Sequence, residues 1–424
     1  MALHWQIFIA LMLAVMAGLV FDSHTQLLGV SLLSVLVFTG TLFLNALKML
    51  IVPLVMASII TGMMGLQAET LGRLGGKTLL YYAITSLVAI LTGLFIVNLF
   101  QPGIVDGEPV RDMIGLAADT STVLDKVGDK GAADIAEVLL RMVPANIVTA
   151  AANGQMLGLI FFSLLYGFFV SRLEGAPADV QKNFWQGLLE IMMAMTNLIM
   201  KFAPLGVFAL VTKVVLISGV EAFEPLSIFF FTVVLALAVH LFVFLPFVLR
   251  FIARVSPVKH FRAMLPALLT AFSTSSSSAT LPITIDSVEK RAGVSNQVSG
   301  FTLPLGATIN MDGTALYECV AAMFIAQAYG LSLDLTTQFT IVLVALLTSV
   351  GVAGIPSASL VAITIILSAI GLPLEAVGLI LVVDRVLDMC RTAVNVFSDS
   401  CAAVTIARLE GEQTLLLPDR AGKR

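Results

Sequence analysis

Six apolar runs, Trp5 to Phe21, Val35 to Met63, Thr78 to Phe100, Leu157 to Phe169, Leu188 to Val215 and Leu226 to Phe251, set the first limit on this chain. A helix of about 20 apolar residues crosses the hydrocarbon of a bilayer, and most of these runs approach or exceed that length. A mean hydropathy of +1.02 and a charged fraction of 12% place the chain outside the range of soluble domains. Backbone that meets lipid must satisfy its own hydrogen bonds, so the runs predict an all-α polytopic membrane protein. The first run has no basic flank and no Ala-x-Ala site after it, and reads as a retained helix.

Short loops carry the orientation signal. Arg73 and Lys77, Arg172 and Lys182, Arg250 to Arg262, and Arg408 to Arg424 mark alternate ends as cytoplasmic, while Asp22 to Ser34 and Ile217 to Pro225 hold no Lys or Arg. Both termini are therefore expected in the cytoplasm, with the polar stretch Gln101 to Asn146 outside. A net charge of −4 argues against a nucleic-acid partner. Cys319, Cys390 and Cys401 have neither metal spacing nor an even count, and read as small core residues. "GGKT" at Gly75 to Thr78 lacks the rest of a phosphate loop and reads as a turn.

From Ala292 to Asp384 there is no Lys or Arg, yet breakers recur: Pro304, Gly306, Gly313, Gly330, Gly351, Gly354, Pro356, Gly371 and Pro373. "TSSSSATLPIT" (Thr274 to Thr284) and "TSVGVAGIPSASL" (Thr348 to Leu360) each place small residues and a proline inside an apolar segment. Each precedes a helix with internal polar groups, "LGATINMDGTALYE" and "DRVLDMCRTAVNVFSD". The pattern predicts two repeats, each a re-entrant hairpin followed by a broken or polar-lined helix. A serine run usually marks a flexible linker, but apolar flanks on both sides favour the hairpin here.

On a helix, Asp384, Asp388, Arg391, Asn395 and Asp399 fall within a stripe of roughly 80° at 100° per residue. Val386, Val394 and Phe397 occupy the other side, as packing residues. One charge at the bilayer centre costs about 2.5–3.5 kcal/mol, so the stripe cannot face lipid. Two readings follow. Asp388 could simply neutralise Arg385 or Arg391, three residues away on either side. Alternatively, separated acidic and basic groups line a water-reachable pocket for a zwitterion, the guanidinium taking a carboxylate and an aspartate taking an ammonium. Between Gly306 and Gly313, Asn310 and Asp312 stand where a helix can unwind toward an ion, and oxygen ligands suit a hard cation such as sodium. Tyr82, Thr85 and Ser86 add hydroxyls within about a turn of one another. Glu318 lies in an apolar segment that favours a neutral carboxyl.

Taken in order, "SSSSATLP", "NMDGTALYE", "GVAGIP" and "DRVLDMCRTAVNVFSD", with "LKMLIVPLVMASI" in the second helix, resemble the dicarboxylate/amino acid:cation symporter family of glutamate and aspartate transporters. The resemblance implies eight transmembrane helices plus two re-entrant hairpins in inverted repeats. It implies a scaffold of helices 1–2 (1–76) and 4–5 (154–222). The transport domain would hold helix 3 with a long outside loop (77–153) and helix 6 to helix 8 (223–409), before a cytoplasmic tail (410–424). A homotrimer in the plasma (inner) membrane working as an elevator is implied, with no cofactor beyond coupling protons or sodium.

By the same resemblance, Arg391 takes the substrate's side-chain carboxylate and Asp388 its ammonium. Thr392, Asn395 and Thr314 add hydrogen bonds, and hairpin residues Ser276, Ser277, Ile355 and Ser359 border the main-chain carboxylate. Gly306, Asn310, Asn395 and Asp399 match one sodium site. Thr308, Met311, Ser349, Val350 and Val352 match a second, and Tyr82, Thr85, Ser86, Asn310 and Asp312 a third. Glu318 matches the proton-carrying glutamate of animal members. This chain has Ser275 and Met389 where archaeal and animal relatives, respectively, carry an arginine; Arg385 is the nearest substitute. Val352 and Ser359 stand where archaeal relatives have Thr and Gly.

Other functions fit less well. A C4-dicarboxylate has no ammonium for Asp388, and a neutral amino acid no carboxylate for Arg391. An intramembrane hydrolase needs a nucleophile–base pair, a zinc-binding His pair or facing aspartates, and His4, His24, His240 and His260 are scattered. Accumulation against a gradient separates a symporter from a passive channel.

Overall fold

Helix is the principal regular structure, as a chain that must satisfy its backbone in lipid requires. A computed structural model describes residues 3–22, 25–27, 29–64, 73–111, 140, 143–153, 156–218, 223–331, 333–349, 358–373, 376–413 and 415–416. The helices are α1 (Leu3–Val20), α2 (Leu32–Met64), α3 (Arg73–Phe100), α4 (Ile147–Ala152), α5 (Met156–Val170), α6 (Ala176–Met200), α7 (Ala203–Ser218), α8 (Phe223–Val239) and α9 (Leu245–Phe251). They continue as α10 (Pro257–Thr274), α11 (Ser277–Ser287), α12 (Asn296–Ile309), α13 (Asp312–Ala328), α14 (Leu335–Ser349), α15 (Ala358–Ile370) and α16 (Val377–Leu409). Two short antiparallel ribbons, β1 (Gln26–Leu27) with β2 (Val30–Ser31) and β3 (Ile104–Val105) with β4 (Glu108–Pro109), close loops after α1 and α3. The expected sodium-site and hairpin residues Val350, Val352 and Ile355, and the end of the tail, lie outside the described residues.

Among the described residues, two helical runs are long and apolar enough to cross a membrane by themselves, Leu74–Phe100 and Phe223–Phe251. The second is α8 and α9 joined by a π-helical turn, His240–Phe244. Pro246 has no N–H to donate, and the wider turn before it absorbs that loss without ending the helix. The expected span from Leu188 to Val215 is broken instead: α6 and α7 meet at 53° around Lys201 and Phe202. Pro204, near the start of α7, cannot donate to the preceding turn and forces a new helix start there.

The helices sort into two packing groups. Helices α1, α2, α5, α6 and α7 pack on one another, and α3 joins α8 and α10 to α16. Within the second group α13 is buried along its whole length, against α3, α8, α14, α15 and α16. Its side chains therefore face protein on every side, which makes it the element where polar groups can be kept from lipid. Both hairpin regions fold as pairs of helices packed together. In the first, α10 ends at Ser275 in the left-handed region (φ 51°) and α11 starts at once on the Ser276 cap, whose hydroxyl accepts from Ala279 N at 3.2 Å. In the second, α14 packs on α15. Residues 410–413 and 415–416, grouped above with the tail, are tied down: Glu412 accepts from Ser295 N at 3.0 Å, and Leu416 N donates to Ala292 O at 2.7 Å.

Small residues set the spacing of the first group. A Cβ on Gly18 would lie 2.5 Å from Val215 Cβ, so α1 and α7 touch backbone to side chain there. Gly18→Ala should force the pair apart at a cost of about 1–3 kcal/mol. It is expected to lower the thermal unfolding midpoint in detergent, whereas Gly62→Ala, where nothing lies within 4 Å among the described residues, should not.

Candidate functional site

The break between α12 and α13 is the first element of the site. Asn310 (φ −98°, ψ 82°) and Met311 (φ −111°, ψ 58°) leave helical geometry, so the ends of two helices meet inside the protein. Met311 offers no side-chain cap to α13. Asn395 of α16 supplies one across the interface, its Oδ1 accepting from Gly313 N at 2.8 Å and Thr314 N at 3.3 Å, while its Nδ2 donates to Thr314 Oγ1 at 3.0 Å. Gly313 has to be glycine for that approach: a Cβ would sit 2.7 Å from Arg391 O.

Two buried carboxylates flank the break. Asp312 Oδ1 accepts from Ser86 Oγ at 2.7 Å, and its Oδ2 accepts from Ser398 Oγ at 2.6 Å and lies 3.1 Å from His240 Nε2. Asn310 Nδ2 donates to Asp399 Oδ1 at 2.9 Å and Ser398 Oγ at 3.1 Å, and Asn310 Oδ1 accepts from Thr85 Oγ1 at 3.3 Å. Tyr82 OH donates to Thr302 O at 2.7 Å beside Gly306, where a Cβ would stand 2.5 Å from Asp399 Oδ1. The structure thus brings Tyr82, Thr85, Ser86, Gly306, Asn310, Asp312 and Asp399 together. Among the described residues no Lys or Arg bonds either carboxylate. Buried negative charge of this kind, ringed by hydroxyl, amide and carbonyl oxygens, suits a hard cation.

Along α16 none of Asp384, Asp388, Arg391, Asn395 and Asp399 is more than 6% exposed. Phe397, opposite the stripe, stacks on Phe261 at 4.0 Å, and Val394 is buried, but Val386 is 46% exposed and does not pack as expected. It lies on the outward side of α16, where a valine can face lipid without cost. The acidic and basic groups are not separated either. Arg391 Nη1 donates to Asp384 at 3.0 Å and Nη2 to Asp388 Oδ1 at 2.7 Å, and Arg385 Nη1 donates to Asp388 Oδ2 at 3.3 Å. Spacings of three and seven residues place these groups on neighbouring turns, so pairing is the low-cost outcome of burying them. The guanidinium also lies 4.0 Å over the Tyr317 ring. At 1% exposure Arg391 is not water-reachable among the described residues, contrary to expectation. Its Nε, however, has no hydrogen-bond partner among them.

The other expected residues are scattered around this centre. Thr392 Oγ1 donates to Asp388 O at 2.8 Å. Ser277 and Ser359 are buried, Ser359 Oγ without a partner among the described residues. Thr308 and Ser349 bond carbonyls of their own helices, at Leu305 and Leu346, and no hydrogen bond joins them to each other or to buried Met311. Glu318, fully buried, accepts from Thr348 Oγ1 at 3.0 Å through Oε2, while Oε1 is unpartnered among the described residues.

Sequence reasoning passed over His240, Ser398 and Tyr317. His240, read as one of four scattered histidines, is fully buried on Asp312 and stacked on Phe244 at 5.2 Å. The available signal was an ionisable residue alone in an apolar run. His240, Asp312 and Ser398 do not form a hydrolytic triad, because the serine donates to the aspartate and not to the imidazole.

A model of the sodium:dicarboxylate symporter family matches residues 3–409. The chain is 36% identical over 414 residues to a proton/sodium-glutamate symport protein of Bacillus caldotenax, covering 97% of this chain and 95% of the relative. It is 34% identical to the proton/glutamate-aspartate symporter of Escherichia coli (strain K12), covering 96% and 93%. Excitatory amino acid transporter 3 of Oryctolagus cuniculus is 34% identical, with 89% and 79% covered.

Replacing His240 by Phe retains a ring against Phe244 and removes the donor to Asp312. Unfolding in detergent should then occur at lower temperature, for a loss of about 1–3 kcal/mol, with a smaller loss for His240→Gln. Equal midpoints for all three proteins would mean that the contact contributes nothing.

Proposed function

Because the chain belongs to the sodium:dicarboxylate symporter family, it is a membrane transporter and not an enzyme, and we propose that it takes up glutamate or aspartate together with protons, sodium or both. The observation that carries this reading is the buried guanidinium of Arg391, held by two aspartates with its Nε unengaged among the described residues, beside the α12–α13 break. A carboxylate binding side-on to Nε and Nη2 displaces only Asp388, since Asp384 holds Nη1. Asp388 Oδ1 is thereby released to accept from the substrate ammonium. Acid and base are thus paired until a zwitterion with a second carboxylate exchanges places with them. A simple diacid would release Asp388 without giving it an ammonium, and a neutral amino acid would leave one arm of the exchange unused.

In this reading Thr392, Asn395 and Thr314 complete the substrate contacts, and Ser276, Ser277, Ile355 and Ser359 border its main-chain carboxylate. Cations occupy the oxygen cluster of Gly306, Asn310, Asn395 and Asp399, and that of Tyr82, Thr85, Ser86, Asn310 and Asp312. A third position uses Thr308, Met311, Ser349, Val350 and Val352. Glu318 carries a proton. An acidic amino acid is a net anion, and entering a cell that is negative inside opposes it by about 2.3 kcal/mol per 100 mV, so co-transported cations must drive it. The wider architecture we propose is eight transmembrane helices and two re-entrant hairpins in a homotrimer of the plasma membrane, both termini cytoplasmic. The sorting of helices into two packing groups supports an elevator in which the group around α13 and α16 moves.

Reconstituted protein should accumulate radiolabelled L-aspartate in liposomes when an inward sodium or proton gradient is imposed, and a channel would not. Arg391→Ala should reduce that uptake by about a hundredfold or more, through loss of a buried charge-assisted contact. Glu318→Gln should abolish the dependence of uptake on external pH; an unchanged pH profile would remove Glu318 from the proton path.

A further inference from the structure

Asp388 already has a counter-charge in Arg391, yet the guanidinium of Arg385 reaches the same aspartate from the other side. Arg391 holds Asp388 by Oδ1 at 2.7 Å and Arg385 holds it by Oδ2 at 3.3 Å. Asp384, Arg391, Asp388 and Arg385 therefore form a chain of alternating charge along α16. Three members are almost wholly buried, whereas the Arg385 side chain is 13% exposed.

The exchange described above makes the position of Arg385 consequential. When a substrate carboxylate takes Nη2 of Arg391, Asp388 loses its shorter ion pair at the moment it must accept an ammonium. A buried carboxylate that loses its shorter ion pair would either swing away or resist the exchange, because a poorly compensated buried charge is costly. Arg385, on Oδ2, lessens that difficulty: it keeps a counter-charge on Asp388 while Oδ1 changes partner. Charge counting points the same way. With a bound acidic amino acid, Asp384, Asp388 and Arg391 alone would leave the pocket two negative charges in excess. Adding Arg385 leaves one, which a single co-transported cation cancels.

We propose that Arg385 is a positioning and specificity-determining residue of the substrate site, holding Asp388 by one oxygen while the other passes from Arg391 to the substrate ammonium. The proposal rests on the reading of the chain as an acidic amino acid symporter. Its strength should therefore appear in substrate affinity and not in the rate of the loaded carrier.

The test is uptake of radiolabelled L-aspartate into liposomes holding the full chain, unaltered or as Arg385→Gln or Arg385→Lys. Arg385→Gln should raise KM about tenfold or more, as expected for loss of one charge-assisted contact, with the maximal rate within about twofold. Arg385→Lys, which keeps the charge, should restore KM to within about threefold of the unaltered protein. An unchanged KM in Arg385→Gln would overturn the proposal. So would equal loss of affinity and maximal rate in both variants, which would mark Arg385 as a structural residue only. Failure of the unaltered protein to accumulate aspartate would instead overturn the functional reading, and the proposal with it.

Discussion

A guanidinium cannot be carried into the interior of a membrane protein alone, and the pairing of Arg391 with Asp384 and Asp388 is the interaction on which the site depends. It explains why α16 can hold four charged groups and an amide on one face, and why α13 has to be buried along its length to cover them. It also bears on what the proposed site would bind. In the proposed exchange a ligand that engages Arg391 must replace what it removes, which favours a molecule with a carboxylate for the guanidinium and an ammonium for the aspartate.

The second constraint is the broken helix. Unwinding at Asn310 and Met311 would leave the start of α13 without a cap, and Asn395 supplies it from α16. One side chain therefore links the groups proposed for substrate to those proposed for cations, since Asn395 also bonds Thr314 and lies one turn before Asp399. Asp312 and Asp399 are linked through Ser398, which donates to Asp312, and Asn310, which donates to both Asp399 and Ser398, with no bonded Lys or Arg among the described residues. In the proposed function, an anion bound at Arg391 adds negative charge that a cation bound in the adjoining part of the helix offsets, which gives a physical route to coupled transport.

Much of this was legible in the sequence because it rests on period and cost. The α16 stripe follows from residue spacing, and the impossibility of facing it to lipid follows from the price of a buried charge. The unwound segment follows from Asn and Asp set between glycines. What the sequence could not supply was partner choice. Spacing alone allowed Asp388 to pair with Arg385 or Arg391; the structure has both, and adds Asp384 seven residues away. His240 and Ser398 meet Asp312 from distant parts of the chain, and no local pattern announces such a contact. The α6–α7 bend was missed because hydropathy does not register a single proline in an apolar run.

The central claim is that Arg391 and Asp388 change partners for one ligand carrying both complementary groups. Calorimetric titration of the detergent-purified chain, in sodium and at mildly acid pH, with L-aspartate and with succinate tests it most directly. The account predicts saturable binding of L-aspartate and at least about a hundredfold weaker binding of succinate, which lacks the ammonium. Succinate binding as tightly as L-aspartate would contradict it.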